Sequence, residues 1–369
     1  MRPIPAALCA PALLAAQLFA QITAPAGTLP APAAVAEDFV PHTVEVLRRE
    51  AGRVRGMFKT RAAWSFVGAT TWLPTVDPVT VYIRREPRSY LSQAEYDALP
   101  DAERAAYKPR VVNDQEFYYT RYGSPLAYGR AIDLMAQQYQ ETHPFRGKKI
   151  LDFGFGSIGA VRLLAHNGAH VTGVDVDPYL RAIYADPSLT GEVPPAALPG
   201  DEFPPGSLSL VYGRWPADET VKAAVGGGYD VFISKNTLKN GYINPEESVD
   251  KRMAIDLGVS NERFVAELAR VMNPGGLVMI YNICPGPAPE GQPVKPHADG
   301  RCPFPREMLE SAGFEVIAFD RDDTDAGRDL GRRLEWDAGN HPMDLENDLA
   351  VWYTLLKKRE DSPQRRGGG

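Results

Sequence analysis

The stretch that decides the fold is Lys149–Pro178, KILDFGFGSIGAVRLLAHNGAHVTGVDVDP. An apolar run around Ile150-Leu151 enters a glycine-rich turn, a helical pattern follows from Ala160 to Asn167, and a second apolar run, Val171 to Val176, ends at an acidic pair. Gly154, Gly156 and Gly159 are spaced G-x-G-x-x-G between strand and helix. In such a turn the first glycine permits tight backbone and the second lets a ligand approach bare backbone. The third lets the helix pack close to the strand. Asp175 stands 21 residues beyond Gly154 at the tip of the next strand, where a carboxylate accepts hydrogen bonds from two ribose hydroxyls. This is half of a nucleotide-binding α/β unit, and it makes an enzyme the leading reading.

Outward from that unit, strands are expected at Leu208–Tyr212, Asp230–Ser234, Leu277–Tyr281, Phe314–Phe319 and Leu349–Leu356, with helices at Glu262–Val271 and Pro305–Ala312. Strands separated by a dozen or more residues imply a mainly parallel sheet with helices on both faces. Pro187–Gly206 and Pro285–Pro303 read as loops, and no repeat of 20–50 residues is present.

Residues 37–146 read as a mainly helical cap, with helical character from Glu37 to Lys59 and a short alternating strand at Val79–Ile83. Ser92 and Glu95, three apart, predict a capping box that opens a helix toward Arg104. Tyr128, Ile132, Met135 and Tyr139 recur at helical spacing and predict a helix packed on the main domain. Residues 1–36 combine Arg2, an Ala/Leu-rich run from Ala6 to Ala20 broken by Pro11, and Ala34-Val35-Ala36. They read equally as a secretory leader or as a disordered extension or misassigned start codon, so cytoplasmic and exported locations both stay open. Residues 359–369 read as a disordered tail. No later segment has the ~18 consecutive apolar residues of a spanning helix.

The formal charge of -7 and the lack of a basic run argue against a nucleic-acid partner. Cys284 and Cys302 are close enough in sequence to bridge in an oxidising compartment, although two unpaired thiols are the plainer expectation. His297, Asp299, Cys302 and Cys284 have metal-ligand chemistry, but their spacing matches no closed site, so no metal is expected.

The glycine turn suits either a dinucleotide or a cationic cofactor. Asp152, two residues before Gly154, repels a pyrophosphate and favours a ligand bearing ammonium and sulfonium charge. Asn273-Pro274-Gly275-Gly276 then forms a turn between a helix and an apolar strand, and the chain closes with helix, strand, a long excursion and a final strand. Together these features resemble the class I S-adenosylmethionine-dependent methyltransferases over about residues 147–358. Ile150-Leu151-Asp152-Phe153-Gly154-Phe155-Gly156 looks like that family's first motif, Asp175 like its second-strand acid, and Asn273–Gly276 like its turn before strand five. The resemblance implies an α/β, Rossmann-like, seven-stranded, mostly parallel sheet with its last strand antiparallel, here with an N-terminal helical extension.

It further implies that Asp152 and the Gly154, Phe155 and Gly156 backbone face the methionine part of S-adenosylmethionine, that Asp175 holds the ribose, and that Val176 lies beside the adenine. The family often has its third glycine at the position of Ile158, where this chain has Gly159 one residue later. After the third strand the chain has Gly213-Arg214-Trp215, so the adenine is expected against backbone and the Trp215 ring, or near Asp218.

Methyl transfer needs alignment and desolvation more than a strong base. Lys235 and Asn236, after the fourth strand, are the candidates for orienting the substrate. Tyr119, Arg121 and Tyr122, before the first strand, are candidates for a pocket roof, and His297 for a general base. The expected acceptor is a small molecule. An NAD-dependent oxidoreductase is one rival. A non-catalytic binding protein with a degenerate fold is another, and export would favour it because the methyl donor is made in the cytoplasm.

Overall fold

Two sheets carry the strands of the computed structural model, which describes residues 42–120, 122–196, 204–245, 254–286, 299–339 and 342–360. In the N-terminal region β1 (Val79–Arg84), β2 (Ser89–Leu91) and β3 (Lys108–Val112) form a small antiparallel sheet, ordered β2-β1-β3. The main sheet comprises β4 (Lys149–Phe153), β5 (His170–Asp175), β6 (Gly191–Val193), β7 (Gly206–Tyr212), β8 (Tyr229–Lys235), β9 (Met272–Cys284), β10 (Phe314–Asp322) and β11 (Ala350–Lys358). Its order is β10-β11-β9-β8-β4-β5-β7-β6. The five central strands from β9 to β7 run parallel, and β11 runs antiparallel between β9 and β10. This is the Rossmann-like α/β arrangement that the sequence implies, with one strand more than expected.

Successive side chains on a strand point to opposite faces, and β4 and β8 show what this does. Ile150, Val231 and Ile233 join a core with Leu47, Phe66, Tyr128 and Met135 of the N-terminal region and with Ile158 and Val161 of the helix Ile158–His166. Leu151, Phe153 and Phe232 join a second core with Trp215, and with Phe264 and Leu309 from the helices Asn261–Val271 and Arg306–Ser311. The N-terminal region therefore completes one core of the main sheet. Asp152 and Lys235 fall on that same face, by the same alternation.

Several expectations need correction. The extra strand β6 lies inside the Pro187–Gly206 stretch read as a loop, where a three-residue strand shows no periodicity. It pairs antiparallel with β7 and covers that strand's outer edge. The helix expected from Ser92 toward Arg104 is two short helices, Gln93–Asp97 and Asp101–Arg104, with Pro100 between them. The capping box at Ser92 and Glu95 is present. The excursion before the last strand contains a helix, Thr324–Arg333, whose charged sequence has few apolar positions to reveal it. Its Gly327 lies so close to β11 that a Cβ there would meet Val351 at 2.3 Å. The Asn273–Gly276 turn lies within β9, where Tyr229 pairs with Met272 and Val231 with Leu277. The expected leader at 1–36 and nearly all of the tail at 359–369 lie outside the described residues.

Gly159 locks the two parts together. A Cβ there would stand 2.4 Å from the Tyr118 carbonyl oxygen and 3.0 Å from Pro125, both in the N-terminal region. The Ser157 hydroxyl donates to that same carbonyl at 2.9 Å, and the Tyr184 hydroxyl donates to the Phe117 carbonyl at 2.7 Å. Gly159→Ala is expected to lower stability by about 2 kcal/mol through overpacking against backbone. Urea unfolding of the variant checks this, and a change within ~0.5 kcal/mol, the scatter of ordinary surface substitutions, would contradict the contact.

Candidate functional site

The parallel strands β5, β4 and β8 end side by side, and their C-terminal tips bring most of the expected site residues to one edge. Gly154 and Gly156 have φ of 71° and 67°, the left-handed conformation that a turn this tight requires. Threonines of the chain itself lie against both. A Cβ on Gly154 would stand 2.1 Å from the Thr237 hydroxyl oxygen, and one on Gly156 would stand 3.6 Å from the Thr120 methyl. Phe155, between them, is buried against Tyr184 and Tyr212.

Half-buried Asp175 ends β5. One carboxylate oxygen accepts the Gly156 N–H at 3.1 Å and the other accepts the Asp177 N–H at 3.0 Å. Burial pushes its pKa up, and these two N–H groups oppose the shift. Val176 beside it is 63% exposed. Across the sheet register Asp175 pairs with Tyr212, whose buried hydroxyl has no protein partner. The adenine contact expected from the sequence begins at Gly213, one residue beyond Tyr212.

The residues beyond Tyr212 do not form the expected adenine wall. Trp215 is 1% exposed, with its ring 5.3 Å from Phe264, 6.0 Å from Phe153 and 6.3 Å from Phe232. A ring enclosed by three others offers no face for stacking. Arg214 points outward to Asp256 at 3.5 Å, and its backbone N–H donates to Asp218 at 2.8 Å.

On the β8 side, Asp152 is wholly buried and forms an ion pair with the ammonium of Lys235, itself buried. Burial pushes the Asp152 carboxyl above its usual range, and Lys235 opposes the shift. The other carboxylate oxygen, Oδ1, has no protein partner. The Lys235 ammonium also lies 5.4 Å from the centre of the Tyr128 ring. Asn236 has φ of 58°; its amide donates to the Tyr128 hydroxyl at 2.8 Å and accepts the Ile283 N–H at 2.6 Å. Both candidates for substrate orientation are therefore buried and bonded internally.

The roof candidates separate. The Tyr119 hydroxyl donates to buried Glu50 at 2.9 Å, whereas the Tyr122 hydroxyl meets that of Tyr242 at 3.0 Å. Between the Tyr122 and Tyr242 rings lies the ammonium of Lys239, 4.7 and 5.0 Å from their centres, donating to the Ile283 carbonyl at 2.6 Å. Full burial pushes the Lys239 pKa down to about 8. The sequence marked this stretch as polar but gave no sign that Lys239 turns inward. His297 and Arg121 lie outside the described residues. Cys284 and Cys302 are buried free thiols, Asp299 is tied to Arg301 and Asn240, and no group of three metal-ligating side chains occurs among the described residues.

The residues fit an adenosyl ligand in one half. Asp175, exposed Val176 and the orphaned Tyr212 hydroxyl suit a nucleoside. At the amino-acid end, Asp152 already holds a cation and Thr237 already lies on Gly154, so that half does not fit as it stands.

No protein-family model and no curated protein matches the chain. Among solved structures, the [4+2]-cyclase SpnF is similar at 17% identity and TM-score 0.38, over 63% of this chain and 81% of that one. An S-adenosylmethionine-dependent methyltransferase from Mesorhizobium loti is 17% identical with TM-score 0.34, over 63% and 98% of the two chains. Haemonchus contortus phosphoethanolamine N-methyltransferase 2 is 13% identical with TM-score 0.37, over 77% and 68%. At these values the likeness bears on neither ligand nor reaction. The Rossmann-like α/β fold itself is shown by the parallel central strands and the antiparallel last strand of the main sheet.

Glu50 fastens the Tyr119–Ser124 segment, accepting the Ser124 hydroxyl at 2.6 Å as well as that of Tyr119. Burial pushes its pKa above the ordinary 4.5, against both hydrogen bonds and Arg53. The folded state then holds its proton to higher pH than the unfolded chain. The stabilisation is complete below about pH 4.5 and is lost as pH rises through the elevated folded value. Glu50→Gln, which keeps an acceptor without the charge, is expected to lose less stability than the wild type between pH 4 and pH 7. Urea unfolding at both pH values measures this, and equal losses would contradict it.

Proposed function

We propose that the chain transfers a methyl group from S-adenosylmethionine to a small-molecule acceptor. The observation that carries this reading is the meeting of the Asp175 carboxylate with the Gly156 N–H at neighbouring tips of β5 and β4, beside exposed Val176. Asp175 would hold the ribose hydroxyls, Val176 would lie against the adenine, and the Gly154–Gly156 backbone would border the amino-acid end. When bound, the donor supplies a methyl group made electrophilic by its sulfonium charge. The chain's own part is to align the acceptor and exclude water. Tyr122 and Tyr242, half-buried beyond the tip of β8, are the groups proposed to orient it, with the buried Lys239 ammonium between their rings. The acidic balance of the chain supports a small acceptor over a nucleic acid.

A second reading, a methyltransferase-like fold that binds without transferring, is favoured by one observation: the internal ion pair between Asp152 and Lys235. Calorimetric titration of the full chain with S-adenosylhomocysteine, and separately with NAD, tests the proposal. Micromolar binding of the first alone is expected, weakened at least tenfold, or about 1.4 kcal/mol, by Asp175→Ala. Binding of NAD alone would overturn the proposal.

A further inference from the structure

The segment Lys235–Lys239 crosses the site, and each of its odd-numbered residues fills a place on the chain's own surface. Lys235 rests on the Asp152 carboxylate, Thr237 on the bare backbone of Gly154, and Lys239 between the Tyr122 and Tyr242 rings. Beside the first of these is a cavity of about 10 Å³, lined by Asp152, Lys235, Tyr128 and apolar side chains. That is close to the least space a water molecule needs, and Asp152 Oδ1 has no protein partner to hold in its stead.

A buried carboxylate with one orphaned oxygen, two residues before a glycine whose backbone is covered by a threonine, is a cation site of the right kind for an α-amino acid. This chain fills it with its own lysine. We propose that Lys235 is a built-in occupant of the amino-acid subsite, its ammonium standing on Asp152 where a ligand's α-ammonium would stand. An adenosyl ligand with an amino-acid tail must then displace it. This rests on the methyl-donor reading above. No bond is made or broken; one ammonium replaces another on the same carboxylate, and Lys235 is released toward the end of β8.

A ligand without the tail requires no displacement, which separates the inference from the reading it rests on. The full chain, Lys235→Met, and Lys235→Met with Asp152→Asn are titrated with adenosine and with S-adenosylhomocysteine. The wild type is expected to bind the two within about threefold of each other. Lys235→Met should bind S-adenosylhomocysteine at least tenfold more tightly with adenosine unchanged, and the double variant should lose that gain. If adenosine binds but Lys235→Met gains nothing for S-adenosylhomocysteine, the inference is overturned and the methyl-donor reading stands. If no form binds either ligand, both are overturned.

Lys235→Met leaves Asp152 without its cation and can fail to fold, so the wild type supplies a second measurement. Lys235 is acetylated with acetic anhydride and followed by peptide mass spectrometry, with and without each ligand. S-adenosylhomocysteine, but not adenosine, is expected to raise Lys235 modification. Unchanged modification with S-adenosylhomocysteine bound would overturn the proposal.

Discussion

A carboxylate buried inside a sheet needs a cation or a proton, and in this chain Asp152 is paired with the Lys235 ammonium. It lies on the central strand, on the face that packs against the N-terminal helices, and is wholly buried. Left unpaired, it would cost several kcal/mol even after relaxation. Lys235 meets it because β4 and β8 are parallel neighbours in which Asp152 faces Ile233, so a side chain two residues further along the same face reaches back to it. Such a pair roughly breaks even against an apolar one of equal volume. Its importance is that removing one member alone leaves the other buried without its partner, which is costly unless something of like charge takes its place.

The same logic explains why the N-terminal region is not an accessory. Its Tyr128 ring lies against the Lys235 ammonium, its Tyr118 carbonyl receives Ser157, and its Glu50 holds the segment that brings Thr120 over Gly156. A loosening at Glu50 or Gly159 therefore reaches the glycine turn through contacts two or three residues long. The turn is supported from one side by its sheet and from the other by this region.

The part of this legible in sequence was the local part. The unit from Ile150 to Asp175 announces itself because glycine spacing, strand and acid lie within one short stretch. Most strands of the main sheet were recognisable from apolar runs bounded by turns. What escaped was short, charged or non-local: β6 with three residues, the helix Thr324–Arg333 with its arginines and aspartates, and every pairing made across the fold. The sign of the charge that Asp152 wants was readable. That its partner is Lys235, 83 residues away, was not, because only the sheet register joins them. Trp215 misled for a related reason: Phe153, Phe232 and Phe264, the rings that draw it inward, are dispersed along the chain.

The central claim is that one negative charge at Asp152 is contested between Lys235 and the amino-acid end of a ligand. A crystal structure of the full chain grown with S-adenosylhomocysteine tests it most directly. The account expects the ligand's ammonium beside Asp152, the Lys235 ammonium withdrawn from that carboxylate, and Thr237 shifted off Gly154. A ligand seated at Asp175 while Lys235 still holds Asp152 would contradict it.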